Sequence, residues 1–465
     1  MVSDKTNYKA DTIFRQVNSS LKENSKEILR DLLVKDLYLS AEDISSKCVK
    51  IGERKKEWGE IVDNILTSKW FGFPIMLLML GGVFWITIAG ANIPSAILAK
   101  GLFWLEDRIS DLFIWLNAPD WLHGMLVLGV YRTMAWVVSV MLPPMAIFFP
   151  LFTLMEDLGY LPRVAFNLDN FFKKAGAHGK QSLTMSMGFG CNAAGIIAAR
   201  IIDSPREKLI AIITNNFVPC NGRFPTLIIF ASIFMGSALS NTYSSFISAS
   251  VVVGLVLIGI IVTLLVSWIL SKTVLKGIPS SFTLELPPYR KPQIAKVLIR
   301  SFIDRTLFVL GRAVIVAAPA GLLVWVFANV NINGVSIIDY VANSLNPFAV
   351  LIGLDGIILL AFILGLAANE IVIPILVMSY LSAGAMLEPE STNVLSEILV
   401  NNGWTWVTAL STMLFSLLHF PCGTTLLTIR KETGSTKWTI FTFFLTTFIA
   451  ISVNFIVVQL IHLFS

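Results

Sequence analysis

The sequence predicts an all-α, polytopic membrane protein, and three observations carry that prediction. Of the 465 residues, 55% are hydrophobic and only 14% charged, with a mean hydropathy of +0.74, well above an ordinary water-soluble domain. From Phe73 onward, apolar stretches follow one another across short polar joints, each near the 20 or so residues that cross a hydrocarbon layer about 30 Å thick. The weak alternation of a β-barrel is not what these stretches show. Several of them carry proline or polar residues midway, which predicts broken or re-entrant helices.

Charge placement gives the expected orientation. Between Arg312 and Arg430 there is no Lys or Arg, whereas basic residues crowd Met1 to Lys69, Lys272 to Arg312 and Arg430 to Lys437. The positive-inside rule puts those basic regions, and the N terminus, in the cytoplasm. Glu106 to Asp120, Asn331 to Asn346 and Leu387 to Asn402 are then outside. The polar start at Met1 predicts no cleaved secretory signal. Four cysteines, three inside apolar stretches, do not make a secreted disulfide framework and read as reduced thiols.

In chain order, residues 1–69 read as a charged helical segment from the spacing of Ile28, Leu32, Leu33 and Leu37, with a second helix start at Ala41 to Ile44 and a surface thiol at Cys48. Residues 70–137 hold a first span, Phe73 to Ile93, and an interfacial amphipathic helix, Ile97 to Leu116. A span over Met125 to Met155 is expected to kink or break at Pro143, Pro144 and Pro150. Asn167 to Lys180 reads as an amphipathic surface helix. Ala175 to Ser182 suggests a phosphate loop but fails its spacing, since Gln181 stands where Ser or Thr is required. The stretch from Leu209 to Ser237 is discontinuous at Pro219 and Pro225. Tyr243 to Leu270 is a plain span, Lys272 to Arg305 a basic loop with an amphipathic piece, and Phe308 to Val330 another span. Phe348 to Leu381 is interrupted at Ala367 to Glu370 and at Pro374 and has two external flanks, so it crosses twice or re-enters. Trp404 to Ile429 breaks at His419 to Gly423, and Trp438 to Phe464 closes the chain.

The chemistry gathers at the breaks. Cys191-Asn192 lies in one interrupted segment and Val218-Pro219-Cys220 in the next; later, Asn369-Glu370 is followed by Phe420-Pro421-Cys422. That echo is what a repeat architecture with a midplane site produces. Thiol, amide, imidazole and carboxylate together suit a borderline divalent ion such as Fe²⁺, so Cys191, Cys220, Cys422, Asn192, Asn369, Glu370 and His419 are the candidate metal ligands. A carboxylate at the bilayer centre costs roughly 2.5–3.5 kcal/mol on insertion scales, and a cation is the simplest partner for Glu370. Plainer readings stand beside these. Each thiol is equally a small packing hydrophobe, His419 a hydrogen-bonded core histidine, and Glu370 a partner for Arg200, Arg223 or Arg312. Met185 and Met187 read as core.

Gly188-Phe189-Gly190-Cys191-Asn192, Asp203 to Glu207, Pro219-Cys220 with Arg223, Leu154 to Tyr160, and Pro421-Cys422 with Ile429 to Glu432 together resemble the membrane portion of FeoB-type ferrous iron transporters, from about Ala41 to the end. The resemblance implies two Gate-type (nucleoside recognition-like) segments at 138–237 and 308–384, a FeoB C-terminal-type region at 238–307 between them, and closing spans at 385–465. It makes residues 1–69 a remnant of the spacer after the family's GTPase domain, and the three buried cysteines the metal-pathway thiols. Two departures matter. No G-x-x-x-x-G-K-[ST] loop occurs, so no GTP site is expected in this chain, and a separate FeoB-type GTPase, or truncation of a longer protein, explains the absence; Met1 favours a natural start. Ala193-Ala194 replace the family's Val-Pro after Cys-Asn, and Asn369 stands where many members have Lys.

The expected function is therefore ferrous iron uptake through a prokaryotic inner membrane, a transporter rather than an enzyme, with Fe²⁺ as cargo and no permanently bound cofactor. Its expected partners are the lipid bilayer, a GTPase, a FeoA-like small protein and further copies of itself, but not nucleic acid. The alternatives are a nucleoside or small-solute carrier of the Gate type and a non-transporting membrane scaffold.

Overall fold

The computed structural model describes residues 23–48, 58–68, 70–236, 244–276, 293–332, 334–387 and 392–464. The charged N-terminal segment forms α1 (Glu23–Cys48) and α2 (Trp58–Leu66). Ala41 to Ile44 lie inside α1 rather than starting a helix, and Cys48 is exposed.

The next two elements correct the sequence reading in the same way. The expected first span and interfacial helix are one unbroken α3 (Gly72–Trp115) of 44 residues, with Pro94 inside it. Proline removes one donor and presses on the carbonyl four residues back; that residue is Gly90, whose backbone gives way most readily. At 1.5 Å per residue α3 is about 66 Å long, so its charged second half extends past any hydrocarbon layer. There Glu106, 3% exposed, receives Arg132 Nε at 2.8 Å and Nη2 at 2.5 Å. Arg132 belongs to α4 (Asp120–Asp157), which keeps Pro143, Pro144 and Pro150 inside regular helix. The irregularity falls earlier, in a π-helical stretch over Gly124–Tyr131. A Cβ on Gly124 or Gly129 would lie 2.5 or 2.9 Å from the Trp325 side chain, so close helix packing rather than proline distorts α4.

Gly159, with φ +82, turns the chain into α5 (Tyr160–Lys174). This is the predicted amphipathic helix, begun several residues sooner. Four short pieces follow: α6 (Gln181–Gly190), α7 (Asn192–Ala198), α8 (Pro205–Thr214) and α9 (Phe224–Phe230). Pro225 starts α9 rather than interrupting it. α10 (Ser244–Lys272) is a span. The middle of the basic loop, Leu284 to Arg290 included, lies outside the described residues. α11 (Ile294–Ser301) is the amphipathic lead into α12 (Phe308–Asn329), a span with Pro319 inside.

A two-residue hairpin, β1 (Asn331–Ile332) against β2 (Val335–Ser336), pairs Asn331 with Ser336. Beyond it α13 (Ile337–Leu351) turns through 108° into α14 (Gly356–Leu364). Asp355 caps α14, its Oδ1 accepting the Ile358 amide at 2.6 Å. The chain continues through α15 (Val372–Tyr380), α16 (Thr392–Asn401), α17 (Trp406–Leu418), α18 (Gly423–Thr433) and α19 (Thr436–Phe464). α14 and α15 have nine residues each, too few to cross singly, and the bent pair α13–α14 is either a broken span or a re-entrant loop.

Among the described residues six helices are long and apolar enough to cross a membrane, seven if the bent pair is one span; this is a multi-pass membrane protein. One hydrophobic core runs from Val83 and Val137 through Phe148 and Phe217 to Leu417 and Ala450. The two largest fully buried side chains among the described residues are both arginines, Arg163 and Arg223. Arg163 is answered by a carboxylate, Asp63, at 2.9 and 3.2 Å.

Candidate functional site

Two chain breaks of the same construction meet in the core. Cys191, between α6 and α7, is extended at φ −156 and ψ 126. Ala368, between α14 and the 3₁₀ turn Asn369–Ile371, is extended at φ −154 and ψ 127. Asn192 and Asn369 follow them. Each break is joined to a Val/Phe-Pro-Cys corner downstream. Asn221 N–H donates to Gly190 O at 3.3 Å, and Gly423 N–H to Leu366 O at 2.6 Å. Pro219 and Pro421 bring no N–H to these corners, and the backbone beside them is extended, at φ −86 and ψ 126 for Val218 and φ −62 and ψ 159 for Cys422. Carbonyls and amides freed this way must find partners inside the protein.

The seven predicted residues lie on these breaks. Cys191, Cys220, Asn192, Asn369 and His419 are buried; Cys422 and Glu370 are half-buried. Cys191 is within electrostatic range of both Cys220 and Cys422, and Glu370 is within range of Cys220 and Cys422. Asn369 Nδ2 stands 3.9 Å from Cys220 Sγ, joining the two halves directly, and its Oδ1 is buried without a hydrogen-bond partner among the described residues. Cys422 stands at the N-cap position of α18, where its thiol makes no bond to the helix amides but exchanges one with Thr425 Oγ1 at 3.2 Å.

Glu370 has no ion pair among the described residues. The arginines that might have claimed it are engaged elsewhere: Arg200 with Glu432 at 2.7 Å, Arg312 with Thr428 at 2.8 Å, Arg223 with main-chain carbonyls. Trp136 Nε1 donates to the Glu370 carbonyl at 3.4 Å. The same indole lines a cavity of about 190 Å³ with Phe103, Arg132, Pro374 and Met386, so open space reaches the wall of the site. His419 is held by Nδ1, 3.0 Å from both Phe415 O and Ser416 O, among the rings of Phe362, Phe415 and Phe420. That leaves Nε2 as its one nitrogen for a ligand.

Four residues matter that the sequence reading did not single out. Asn216 Nδ2 donates to His419 O at 2.9 Å, tying the two breaks together. Asn215 Nδ2 donates to Asn192 O at 3.2 Å. The Asn192 amide lies 3.3 Å from Asn216 Oδ1 and, in its other orientation, donates to Gly188 O and Val218 O at 3.1 and 3.2 Å. Gly222 leaves room for Glu370, because a Cβ there would run into the Glu370 carboxylate and displace it. Trp136 is the fourth. Two consecutive asparagines inside an apolar run, just ahead of Val-Pro-Cys, were the available signal.

Three thiols, a carboxylate and two amides from both halves thus share one region. Among the described residues, however, no three His, Cys, Asp or Glu groups form a ready-made cage for a metal ion.

The family described as Nucleoside recognition matches residues 138–234 and 310–436, and the one described as Ferrous iron transport protein B C terminus matches residues 252–304. The Fe(2+) transporter FeoB of Staphylococcus aureus is 30% identical over 427 residues, which are 89% of this chain and 60% of that protein. That of Campylobacter jejuni is 28% identical, over 90% of this chain and 68% of its own. A Fe(2+) transport protein A/Fe(2+) transporter FeoB fusion protein of Porphyromonas gingivalis is 25% identical, over 87% and 51%. No solved structure matches. The chain spans about 60% of the Staphylococcus relatives' length. With both family regions in order and relatives aligned along most of its length, the chain belongs to the FeoB family and corresponds to its membrane part.

Proposed function

We propose that this chain is a permease for a divalent metal, Fe²⁺ before others, lying in a prokaryotic inner membrane with its N terminus in the cytoplasm. The observation that carries the reading is the meeting of Cys191, Cys220 and Cys422 with Glu370 and Asn369 at breaks from both halves. An ion shedding water at these breaks exchanges hydration for sulfur, amide and carboxylate donors, moving between partial shells. The relatives' names support iron as cargo. The basic residues between Lys272 and Arg312 would receive a separate GTPase, and the fused relative supports a FeoA-like protein as a further partner.

Radioactive iron uptake into cells or vesicles tests this. Cys220→Ser and Cys422→Ser are each expected to abolish it; wild-type accumulation in both removes the thiols from the mechanism. Because the Gate region matches a nucleoside recognition family, uridine is the competitor to include. Iron uptake insensitive to uridine supports the metal reading, and uridine uptake without iron uptake replaces it.

A further inference from the structure

One face of α15 runs from Glu370 past two cavities. Glu370, in the turn just before the helix, is followed at intervals of four residues by Pro374 and Met378, so the three succeed one another along that face. Pro374 lines the cavity of about 190 Å³ beside Trp136, whose indole donates to the Glu370 carbonyl. Met378 lines a second cavity, of about 500 Å³. Unlike groups surround the two. Asn329, Asn331, Ser336, Asp339, Ser379 and Ser382 make the larger one polar, with no basic side chain in its lining among the described residues. The smaller is walled by Phe103, Trp136, Met386 and Leu387, and its one charged group is Arg132.

The segment after α15, residues 381–387, borders both. Ser382, Ala383 and Gly384 line the polar cavity, Met386 and Leu387 the apolar one. The chain leaves the helix through Ser382 at φ +50, with Ala383 N–H donating to Met378 O at 2.9 Å, a left-handed cap that glycine fills at less strain. Two side chains from other helices then tie the segment down. Asn329, at the end of α12, donates from Nδ2 to Gly384 O at 2.7 Å. Arg132 of α4, itself paired with Glu106, reaches Met386 O from Nη1 at 3.5 Å. A strained turn followed by single hydrogen bonds to the main chain is what a segment that opens locally is made of. An apolar passage gates by excluding water, and a guanidinium in its wall adds to the barrier against a cation.

We infer that residues 381–387 are a gate between the polar cavity and Glu370, closed in this structure and held so by Asn329 and Arg132. The polar cavity receives the cation with its water. Released from its two ties, the segment swings about Ser382, joins the cavities and opens the way along α15 to Glu370. By the charge pattern this is the outer gate. The inference rests on the metal-permease reading above.

Gly384 offers the test, because a Cβ there would lie 3.6 Å from Asn329 Cγ, close enough for a disulfide once both residues are replaced by cysteine. The full chain carrying Asn329→Cys and Gly384→Cys is oxidised in membrane vesicles, the bridge is confirmed by mass spectrometry, and iron uptake is compared with wild type under the same oxidant. The bridge is expected to lower uptake roughly tenfold and dithiothreitol to restore it, while each single variant responds as wild type does. A merely structural segment would lose nothing to a bridge that holds it where it already lies. Equal uptake in the bridged and reduced states, or a pair that does not bridge, overturns the inference. Asn329→Ala combined with Met386→Cys provides a second arm if the pair does not reach the membrane. Loss of one hydrogen bond of ordinary strength should raise labelling at position 386 by a membrane-impermeant maleimide about fivefold over Met386→Cys alone; unchanged labelling overturns the gate as well. A wild-type chain without iron uptake defeats the permease reading itself, while the labelling arm, which needs no iron, still decides whether the segment opens.

Discussion

The two halves of this molecule build the same backbone and fill it differently. Cys191 and Ala368 share their dihedral angles to within a few degrees, each is followed by asparagine, and each break is tied by one main-chain hydrogen bond to a Pro-Cys corner. The side chains then diverge. The first half puts a thiol at the extended residue and the second an alanine. The second half adds a carboxylate, Glu370, where the first has Ala193. After the corner, glycine and arginine at 222 and 223 face threonines at 424 and 425. The repeat supplies the geometry, and the departures from it set the side chains apart: two thiols in the first half, and a carboxylate with one thiol in the second.

The largest expected effect breaks the comparison at Gly222. Its counterpart Thr424 carries a buried side chain, but at Gly222 a methyl group would enter the space of the Glu370 carboxylate. Gly222→Ala should therefore displace Glu370 and slow iron uptake on the order of tenfold, as small misplacements of acting groups do. Thr424→Ala should change uptake little. Uptake rates normalised to protein in the membrane decide it, and a wild-type rate for Gly222→Ala means that the carboxylate's position does not matter.

A smaller effect sharpens the equivalence of the two extended residues. If Cys191 and Ala368 hold matching places around one path, a thiol moved from one to the other stays within reach of Cys220 and Cys422. Cys191→Ser should lower iron uptake, and adding Ala368→Cys should restore part of it, by roughly a few-fold for one recovered soft ligand. No recovery in a double variant that reaches the membrane would show the halves to be alike in backbone alone.

Much of this was legible in the sequence, for local reasons. A proline or a polar pair inside an apolar run argues against an unbroken span, so the breaks at Cys191, Cys220, Asn369 and Cys422 could be read directly. The same reasoning failed at Pro94 and at Pro143 to Pro150, where the helix runs on. One missing donor is a small loss, and the neighbours that decide the outcome, such as Trp325 against Gly124 and Gly129, are distant in sequence. Distance also hid the partners of Arg223. Its bonds reach across nearly two hundred residues to carbonyls, and no pattern of side chains announces which carbonyls will be open. Gly222 was invisible because a glycine in a corner motif looks like a turn until the carboxylate packed on it is seen.

The smallest effect concerns how each half starts its short helix. Asp355, just before α14, caps it with a carboxylate. At the corresponding place before α6 stands His178, whose Nδ1 accepts the Lys180 amide at 3.0 Å, a bond that only a ring nitrogen without a proton can accept. Burial, the largest influence on it, pushes the His178 pKa below the ordinary 6.5; Lys180 acts in the same sense, while Glu207, Asp169 and Asp203 oppose. The unfolded chain therefore binds this proton at a pH where the folded one does not, and stability rises with pH through the interval below 6.5. Acidification from neutral should lower the stability of the purified protein, read as a falling melting temperature, with at most about 1.4 kcal/mol of unfolding free energy lost per pH unit from this group. His178→Asp, which copies the second half, should flatten that part of the profile. An identical loss between pH values of about 7 and 5.5, either side of the usual histidine range, in wild type and variant would place the acid sensitivity on other groups and leave the two helix starts equivalent in this respect.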